Sequence, residues 1–310
     1  DAGDVHWHTG LLSRLASRLG SPVPELPGVP PFRADNCYRW PHVTRNLLWT
    51  DPDRLGNPLP EATHVFDDLA VTIVRRRAGS RIVAFAAKGG HNDEPHNHND
   101  LGHFIVHVAG DNLLADPGAG LYTRDSFGDN RYSLPHNGSQ GHSVPVVNGR
   151  GQSAGRRFAA SVLQSEGYDG VRLLTLDLTR AYDDASLERL HRHFRWMWHP
   201  DEAAVASLLL ADSFRFARPP QRLEEAFVSL HPPELHAGRA IWRGANGGAV
   251  VMRYDRGAFD AAVDTIADAP SRDETIRPIY RLRLTAIAPG AAFEARFAFE
   301  CRLDGAGDAP

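Results

Sequence analysis

Apolar and polar residues along this chain follow two different periods. In the first 60 residues the period is helical: Val5, Leu11, Leu12, Leu15 and Leu19 recur three and four apart, and Gly20 ends the stripe. The Pro-rich run S-P-V-P-E-L-P-G-V-P-P (21–31) excludes regular helix and central strand. The segment 35–51, with Tyr38, Trp40, Leu47, Leu48 and Trp49, reads as a short helix or an aromatic packing segment. From about Thr63 the period shortens to two. Strands are expected at 71–75, 81–87, 104–108, 112–115, 143–147, 159–164, 171–178, 187–198, 204–216, 226–230, 240–242, 249–254, 279–288 and 292–301. Ala78-Gly79 and Gly110-Asp111 mark hairpins, and Asn148-Gly149 is a favoured turn pair. Many short strands punctuated by Gly and Pro predict a mainly β fold, a large antiparallel β-sandwich with a short N-terminal helical segment. The expected division is 1–60, a helical remnant and linker, and 61–310, the sandwich. The first piece is too short and broken to stand alone, and reads as the tail of a helical domain or a strap on the sandwich.

Composition changes this picture little. The net charge of -4 is small and the basic residues are scattered, which argues against nucleic acid and an anionic membrane surface as partners. All but one of the 34 basic residues are arginine; the exception is Lys88. No apolar run is long enough for a membrane-spanning helix. Cys37 and Cys301 lie near opposite ends and are expected to be free and buried. The chain begins with Asp1 and shows no signal peptide, which says nothing about export.

The candidate chemistry is concentrated in 89–148. Of 16 histidines, His91, His96, His98, His103, His107, His136 and His142 fall there. Imidazoles gathered near carboxylates either bind a metal or move protons. On an extended backbone His96 and His98 would share a side; alternatively one is a ligand and its neighbour works on a substrate. Asp116 ends the apolar run N-L-L-A-D, and His142 begins another. His98, Asp116 and His142 make a reasonable zinc set with room for water, and Asn97, Asn99 and Asp100 are placed to orient the imidazoles. His103 and His107 alternate with Phe104 and Val106 and are expected to face solvent or a polar interior. Between Asp116 and His142 runs a long polar loop with Tyr122, Arg124, Arg131 and Tyr132. Its phenols can exchange a proton, and its arginines can grip a carboxylate at two points. Lys88, directly before the glycine pair, is placed to line the same cleft. Arg131, Asn97 and Lys88 are the candidate substrate-binding residues. Walker, Rossmann and C-x-x-C patterns are absent from the sequence.

Taken in order, K-G-G-H-N-D-E-P-H-N-H-N-D-L-G-H-F (88–104), L-L-A-D-P-G-A-G-L-Y (113–122), R-Y-S (131–133) and G-H-S-V-P-V-V-N-G (141–149) resemble the heparinase II/III-like polysaccharide lyases. D-L-T-R-A-Y (177–182) and R-H-F-R-W (192–196) resemble that family's sheet region. The resemblance implies the family's β-sandwich preceded by the last fragment of an α/α-toroid, with the toroid as a partner domain. It implies β-elimination on a uronic-acid polysaccharide such as heparan sulfate or alginate, in a bacterial, periplasmic or secreted setting. By this resemblance zinc falls on His98, Asp116 and His142 and shapes the site, and His96 is the active-site histidine. Tyr132 stands near the position of a catalytic tyrosine, with Tyr122 as its rival. The family's main tyrosine, and the Asn or His and Glu beside it, come from the toroid, and no residue in 1–60 matches them. Gly102-His103 stands where many members have glycine-serine.

Two other readings compete. Gly90, five residues, then His96-x-His98 fits the opening of a cupin metal motif, as in metal-dependent oxygenases or isomerases, but the following glutamate is missing. The third reading is a non-catalytic carbohydrate-binding module.

Overall fold

The computed structural model describes residues 8–20, 29, 40–54, 60–199, 202–271 and 275–303. Val5, Cys37, Tyr38, most of the Pro-rich run and the tail 304–310 lie outside them. The chain divides into two compact units, Ala2–Glu61 and the residues from Ala62 onward.

In the first unit α1 (Thr9–Leu19) packs on α2 (Trp40–Trp49). Gly20 closes α1 in the left-handed conformation, its N–H bonded to Ala16 O. The apolar stripe does not make this contact. Leu11, Leu15 and Leu19 are exposed, and the buried face is Thr9, Gly10, Ser13 and Ala16. Small residues win here because the backbones come close: a Cβ on Gly10 would lie 1.9 Å from Arg45 O. Asn46 Oδ1 accepts the Gly10 N–H, and Ser13 Oγ accepts the Asp51 N–H.

The second unit is built from antiparallel strands. They are β1 (Ala62–Phe66), β2 (Val71–Ala78), β3 (Arg81–Lys88), β4 (His91–Asn92), β5 (Phe104–Val108), β6 (Asp111–Leu114), β7 (Val146–Val147), β8 (Gly155–Ala159), β9 (Ser161–Tyr168) and β10 (Val171–Asp177). Next along the chain come β11 (Leu187–Trp198), β12 (Ala204–Phe216), β13 (Leu223–Ser229), β14 (Glu234–His236), β15 (Arg239–Arg243), β16 (Gly248–Tyr254), β17 (Phe259–Ile266), β18 (Ile279–Ala286) and β19 (Ala292–Leu303). They form a five-stranded sheet, β1-β2-β3-β5-β6, and an eight-stranded sheet, β14-β15-β16-β19-β12-β11-β10-β9. A four-stranded sheet, β17-β18-β13-β7, and the pair β4-β8 complete it.

One hydrophobic core joins the three larger sheets. Phe104 of β5 sits at its centre, its ring 5.6 Å from Phe194, 6.2 Å from Phe227 and 5.8 Å from Phe299. Phe85 stacks on Trp196 at 5.5 Å. Inward side chains from each sheet thus bury one another, which is what the period-two pattern requires. Hairpin turns match the sequence closely, since residues with positive φ suit the twist of paired strands. Asn148 and Gly149 have φ of 51° and 76°. The β5–β6 turn is Ala109-Gly110, at 53° and 98°, one residue earlier than expected.

The expected strand 143–147 shrinks to β7. Ser143 has its polar groups taken elsewhere: its N–H donates to His103 Nδ1, its Oγ accepts from the Val228 N–H, and its carbonyl accepts from Arg192. Backbone that would have joined a ladder instead fixes side chains near Asp116.

Candidate functional site

Asp116 stands where β6 runs out into Pro117-Gly118, and its Oδ1 accepts the Gly118 N–H at 2.7 Å. Its Oδ2 lies 3.5 Å from His142 Nδ1 and 3.7 Å from His103 Nε2. The His142 ring is fully buried, 5.2 Å from the His98 ring and 5.1 Å from the His103 ring. His98, Asp100, Asp116 and His142 each offer a ligand atom, all within 4.8 Å of one another. The three residues expected to share a metal therefore converge, from a loop after β4, the end of β6 and the loop before β7.

Neighbouring bonds assign the tautomers. His142 Nε2 lies 3.1 Å from the His136 carbonyl, which can only accept, so Nε2 carries the proton and Nδ1 is a bare lone pair. That lone pair faces a carboxylate oxygen, acceptor against acceptor, and no hydrogen bond satisfies it. His98 Nε2 is likewise buried without a partner. A buried polar atom left unpaired is expensive, and two imidazole nitrogens about one carboxylate suit a divalent metal. His103 is different. Its Nδ1 accepts the Ser143 N–H at 2.9 Å, so the neutral ring carries its proton on Nε2, directed at Asp116. At 3.7 Å that proton is beyond hydrogen-bond distance of the carboxylate and Nε2 is buried without a partner, but with Nδ1 engaged the ring has no lone pair to offer a metal. His103 was expected to face solvent or a polar interior. The unusual Gly102-His103 pair was the available signal.

The electrostatics favour the same arrangement. Burial lowers the His98 imidazole to about 3, reinforced by His142, and lowers His103 to about 4. Burial pushes Asp116 up, but His142, His103 and His98, with the Gly118 N–H, hold it below the ordinary carboxylate range. At neutral pH the His98 and His103 rings are neutral and the Asp116 carboxylate is charged; for His98 and Asp116 these are the forms that ligate. These shifts set the sign of the pH dependence. Below pH 6.5 the unfolded chain binds protons at His98 and His103 that the folded chain refuses. With metal chelated, stability is therefore expected to fall as pH drops from 6.5 toward 4, by up to about 1.4 kcal/mol per pH unit for each ring. Asp116 enters only below the usual carboxylate range. Urea midpoints at pH 7, 6 and 5 in chelator check this, and a flat profile would contradict it.

The loop holding these ligands is itself clamped. Gln152 Nε2 donates to Leu101 O, and its Oε1 accepts the Leu101 N–H. Ser139 Oγ donates to Asn99 O, and Asn99 Nδ2 donates to Gln152 O. Asp100 is buried, and its Oδ1 lies 2.8 Å from Lys88 Nζ. Lys88, expected to meet substrate, thus spends its ammonium on Asp100.

His96 and His98 do not lie on extended backbone. His96 has φ of 59°, in the left-handed region, and is exposed while His98 is buried. The turn sends the two imidazoles apart, leaving one beside Asp116 and one toward solvent. Asn97 between them donates to His98 O through Nδ2 and accepts the Tyr132 hydroxyl through Oδ1 at 3.0 Å. Arg131 donates to Asn97 O and Ser126 O. Two of the three candidate substrate-binding residues, Asn97 and Arg131, therefore hold the His96 turn in shape. Tyr132 is tied to that turn, whereas the Tyr122 ring packs edge-on against Phe127 at 5.0 Å. A cleft of about 370 Å³, lined in part by Asn99, Tyr132, Gln140 and Arg281, opens beside these residues.

A second buried group lies behind. Arg192 of β11 donates through Nη1 to Gly102 O and Ser143 O, at 2.9 and 2.8 Å. Its other nitrogens reach Asp212 and Glu225. Sequence patterning gave no hint of it, because an arginine between apolar strand residues reads as solvated.

Residues 58–219, just over half the chain, match the family model described as Heparinase II/III-like, C-terminal. The chain superposes on the heparan sulfate lyase HepC from Pedobacter heparinus with a TM-score of 0.66 and 13% identity, covering 97% of this chain and 43% of that chain. On heparinase III the TM-score is 0.61 at 16% identity, over 86% of this chain and 40% of that one. A further heparinase III gene product gives 0.64 at 12%, over 90% and 42%. At these identities the likeness is one of fold, and the chain spans about two fifths of those structures' length. No curated protein matches it. The family match replaces the cupin reading, and by it this chain, whose loops between antiparallel strands carry Asp116 and the histidines, belongs to the heparinase II/III-like family.

Proposed function

We propose that this chain forms the zinc-bearing wall of an active centre that cleaves a uronic-acid polysaccharide by β-elimination. The observation that carries the reading is the buried His142 Nδ1 lone pair facing Asp116 Oδ2 at 3.5 Å without a hydrogen-bond partner, in one cluster with His98, two residues from the exposed His96. His98, Asp116 and His142 would hold the ion. When bound, zinc supplies a fixed positive charge that locks the ligand loops and does not attack the substrate. The His96 imidazole faces outward, where it can hydrogen-bond the substrate carboxylate as charge develops on it. Tyr132, whose hydroxyl proton is directed at Asn97 Oδ1, is the proton-transfer group on this wall, protonating the leaving glycosidic oxygen as the phenol or, when ionised, removing the C5 proton as the phenolate. Asn97 and Arg131 keep those two side chains in register. The opposite wall is the helical toroid implied by the family resemblance.

The relatives' names favour a glycosaminoglycan such as heparan sulfate, with alginate as the other uronic-acid polysaccharide to try. A polymer of that size is met outside the cell membrane, so the expected location is periplasmic or secreted.

Metal analysis of the purified chain is expected to give one zinc per molecule, lost in His142→Ala. In the natural full-length protein, heparan sulfate is expected to yield products with the ultraviolet absorbance of an unsaturated uronate. His96→Ala is expected to cut that rate by at least about a hundredfold. Polysaccharide binding without turnover in the full-length protein would favour the carbohydrate-binding module. Absence of zinc would remove the reading altogether.

A further inference from the structure

Four ligand atoms converge here, not three. Asp100 belongs to the same 4.8 Å cluster as His98, Asp116 and His142. Four protein ligands close a tetrahedral ion and make a structural site, whereas three leave a position for water or substrate. Asp100 is therefore the residue on which the character of the centre turns. Its Oδ1 is taken by Lys88 Nζ at 2.8 Å, the ammonium partly exposed and the carboxylate buried. The backbone from which that side chain springs is tied to the ligand loop: the Gly102 N–H donates to Lys88 O, and the Lys88 N–H donates to His103 O. Lys88 is also the one lysine among 34 basic residues. A compact ammonium is a point donor that engages one carboxylate oxygen, where a guanidinium would present a wide planar fork.

We infer that Lys88 keeps Asp100 from becoming a fourth protein ligand, so that one coordination position at the centre stays open. This rests on the zinc reading above. Lys88 is a positioning residue here: it touches neither metal nor substrate, and acts by holding a carboxylate that would otherwise turn to the nearest cation. The two possible roles for the pair differ in sign. A supporting residue around a metal site, when removed, lowers affinity. Removing a competitor for a potential ligand raises it.

The test uses the chain loaded with cobalt(II), whose visible bands report coordination number, and azide as the probe of an open position. In the wild type azide is expected to change the spectrum. In Lys88→Met the bands are expected to intensify toward a closed four-coordinate site, azide to have no effect, and metal affinity to rise by about tenfold or more. An ordinary supporting role predicts the reverse, a loss of about 10–100-fold with the azide response intact, and would overturn the inference. The double variant Lys88→Met/Asp100→Asn is expected to recover the azide response. Should Lys88→Met fail to fold, Asp100→Asn alone decides. Its cobalt spectrum is expected to match the wild type; a changed spectrum with much weaker binding means Asp100 already ligates. A wild type that binds cobalt but ignores azide overturns this inference alone, while one that binds no metal removes the zinc reading as well.

Discussion

Arg192→Met is expected to cost about 3–5 kcal/mol of folding stability, the range for breaking a buried ion pair from one side. For a domain of this size that lowers the melting midpoint by roughly 6–12 °C. The size of the effect comes from the surroundings. Arg192, Asp212 and Glu225 have no exposed side-chain surface. Burial lowers the affinity of Arg192 for its proton, but Asp212 and Glu225 more than reverse this, and the guanidinium stays charged. Glu225 is pushed well above the usual carboxylate range, by burial first and by Asp212 next. Replacing the cation alone leaves the Asp212 carboxylate in the core beside the aromatic cluster, with no partner of opposite sign. It also frees Gly102 O and Ser143 O, the carbonyls next to His103 and His142. A second measurement separates these consequences. Arg192→Met/Asp212→Leu/Glu225→Met is expected to recover most of the stability, because apolar groups of similar volume replace buried ion groups at little cost. It is not expected to recover zinc affinity, because nothing then grips the two carbonyls. If stability and affinity return together, Arg192 serves the core alone.

The physical reasons why some of this was legible in the sequence and some was not are uneven. Strands β11 and β12 could be bounded to the residue, since long alternating runs of Leu, Phe and Trp admit one register with one buried face. Strands β14 and β17 were missed, since β14 is exposed throughout and β17 carries Asp260 and Asp264 among small residues. The α1 stripe misled because apolar periodicity marks the face with most to bury, while the contact with α2 is set by how near two backbones can come. At the site, ligand identity was legible because only imidazole and carboxylate carry that chemistry. Geometry was not. The positive φ at His96, which parts it from His98, depends on a turn that no dipeptide preference fixes. The roles of His103, Asp100 and Lys88 depend on which atom faces which, and a sequence contains donors and acceptors but not their directions.

Asp116→Asn is expected to abolish the stabilisation by zinc and, without metal, to act in the opposite direction. With free zinc a thousandfold above its dissociation constant, a ligand bound only by the folded state adds about 4 kcal/mol. For a domain of this size that raises the melting midpoint by roughly 10 °C, and chelator takes it away. The amide keeps the carboxylate's shape, and its oxygen can still accept the Gly118 N–H that Asp116 Oδ1 now holds. It removes the charge a divalent ion needs, so the zinc-dependent rise should vanish. In chelator the balance inverts. The wild type then sets the bare His142 Nδ1 against Asp116 Oδ2 at 3.5 Å, two acceptors with no proton between them. An amide nitrogen in that place donates to the His142 imidazole and converts the opposition into a hydrogen bond, a gain of about 1 kcal/mol, while the His103 Nε2–H that faces the same atom stays beyond hydrogen-bond distance at 3.7 Å. Melting curves of wild type and variant, each with zinc and with chelator, give four midpoints. The expected order puts the zinc-loaded wild type highest and the chelated wild type lowest, with the variant between them and unmoved by metal. A chelated variant below the chelated wild type would mean the wild-type pair is already satisfied, and the case for a metal between those two atoms would go with it.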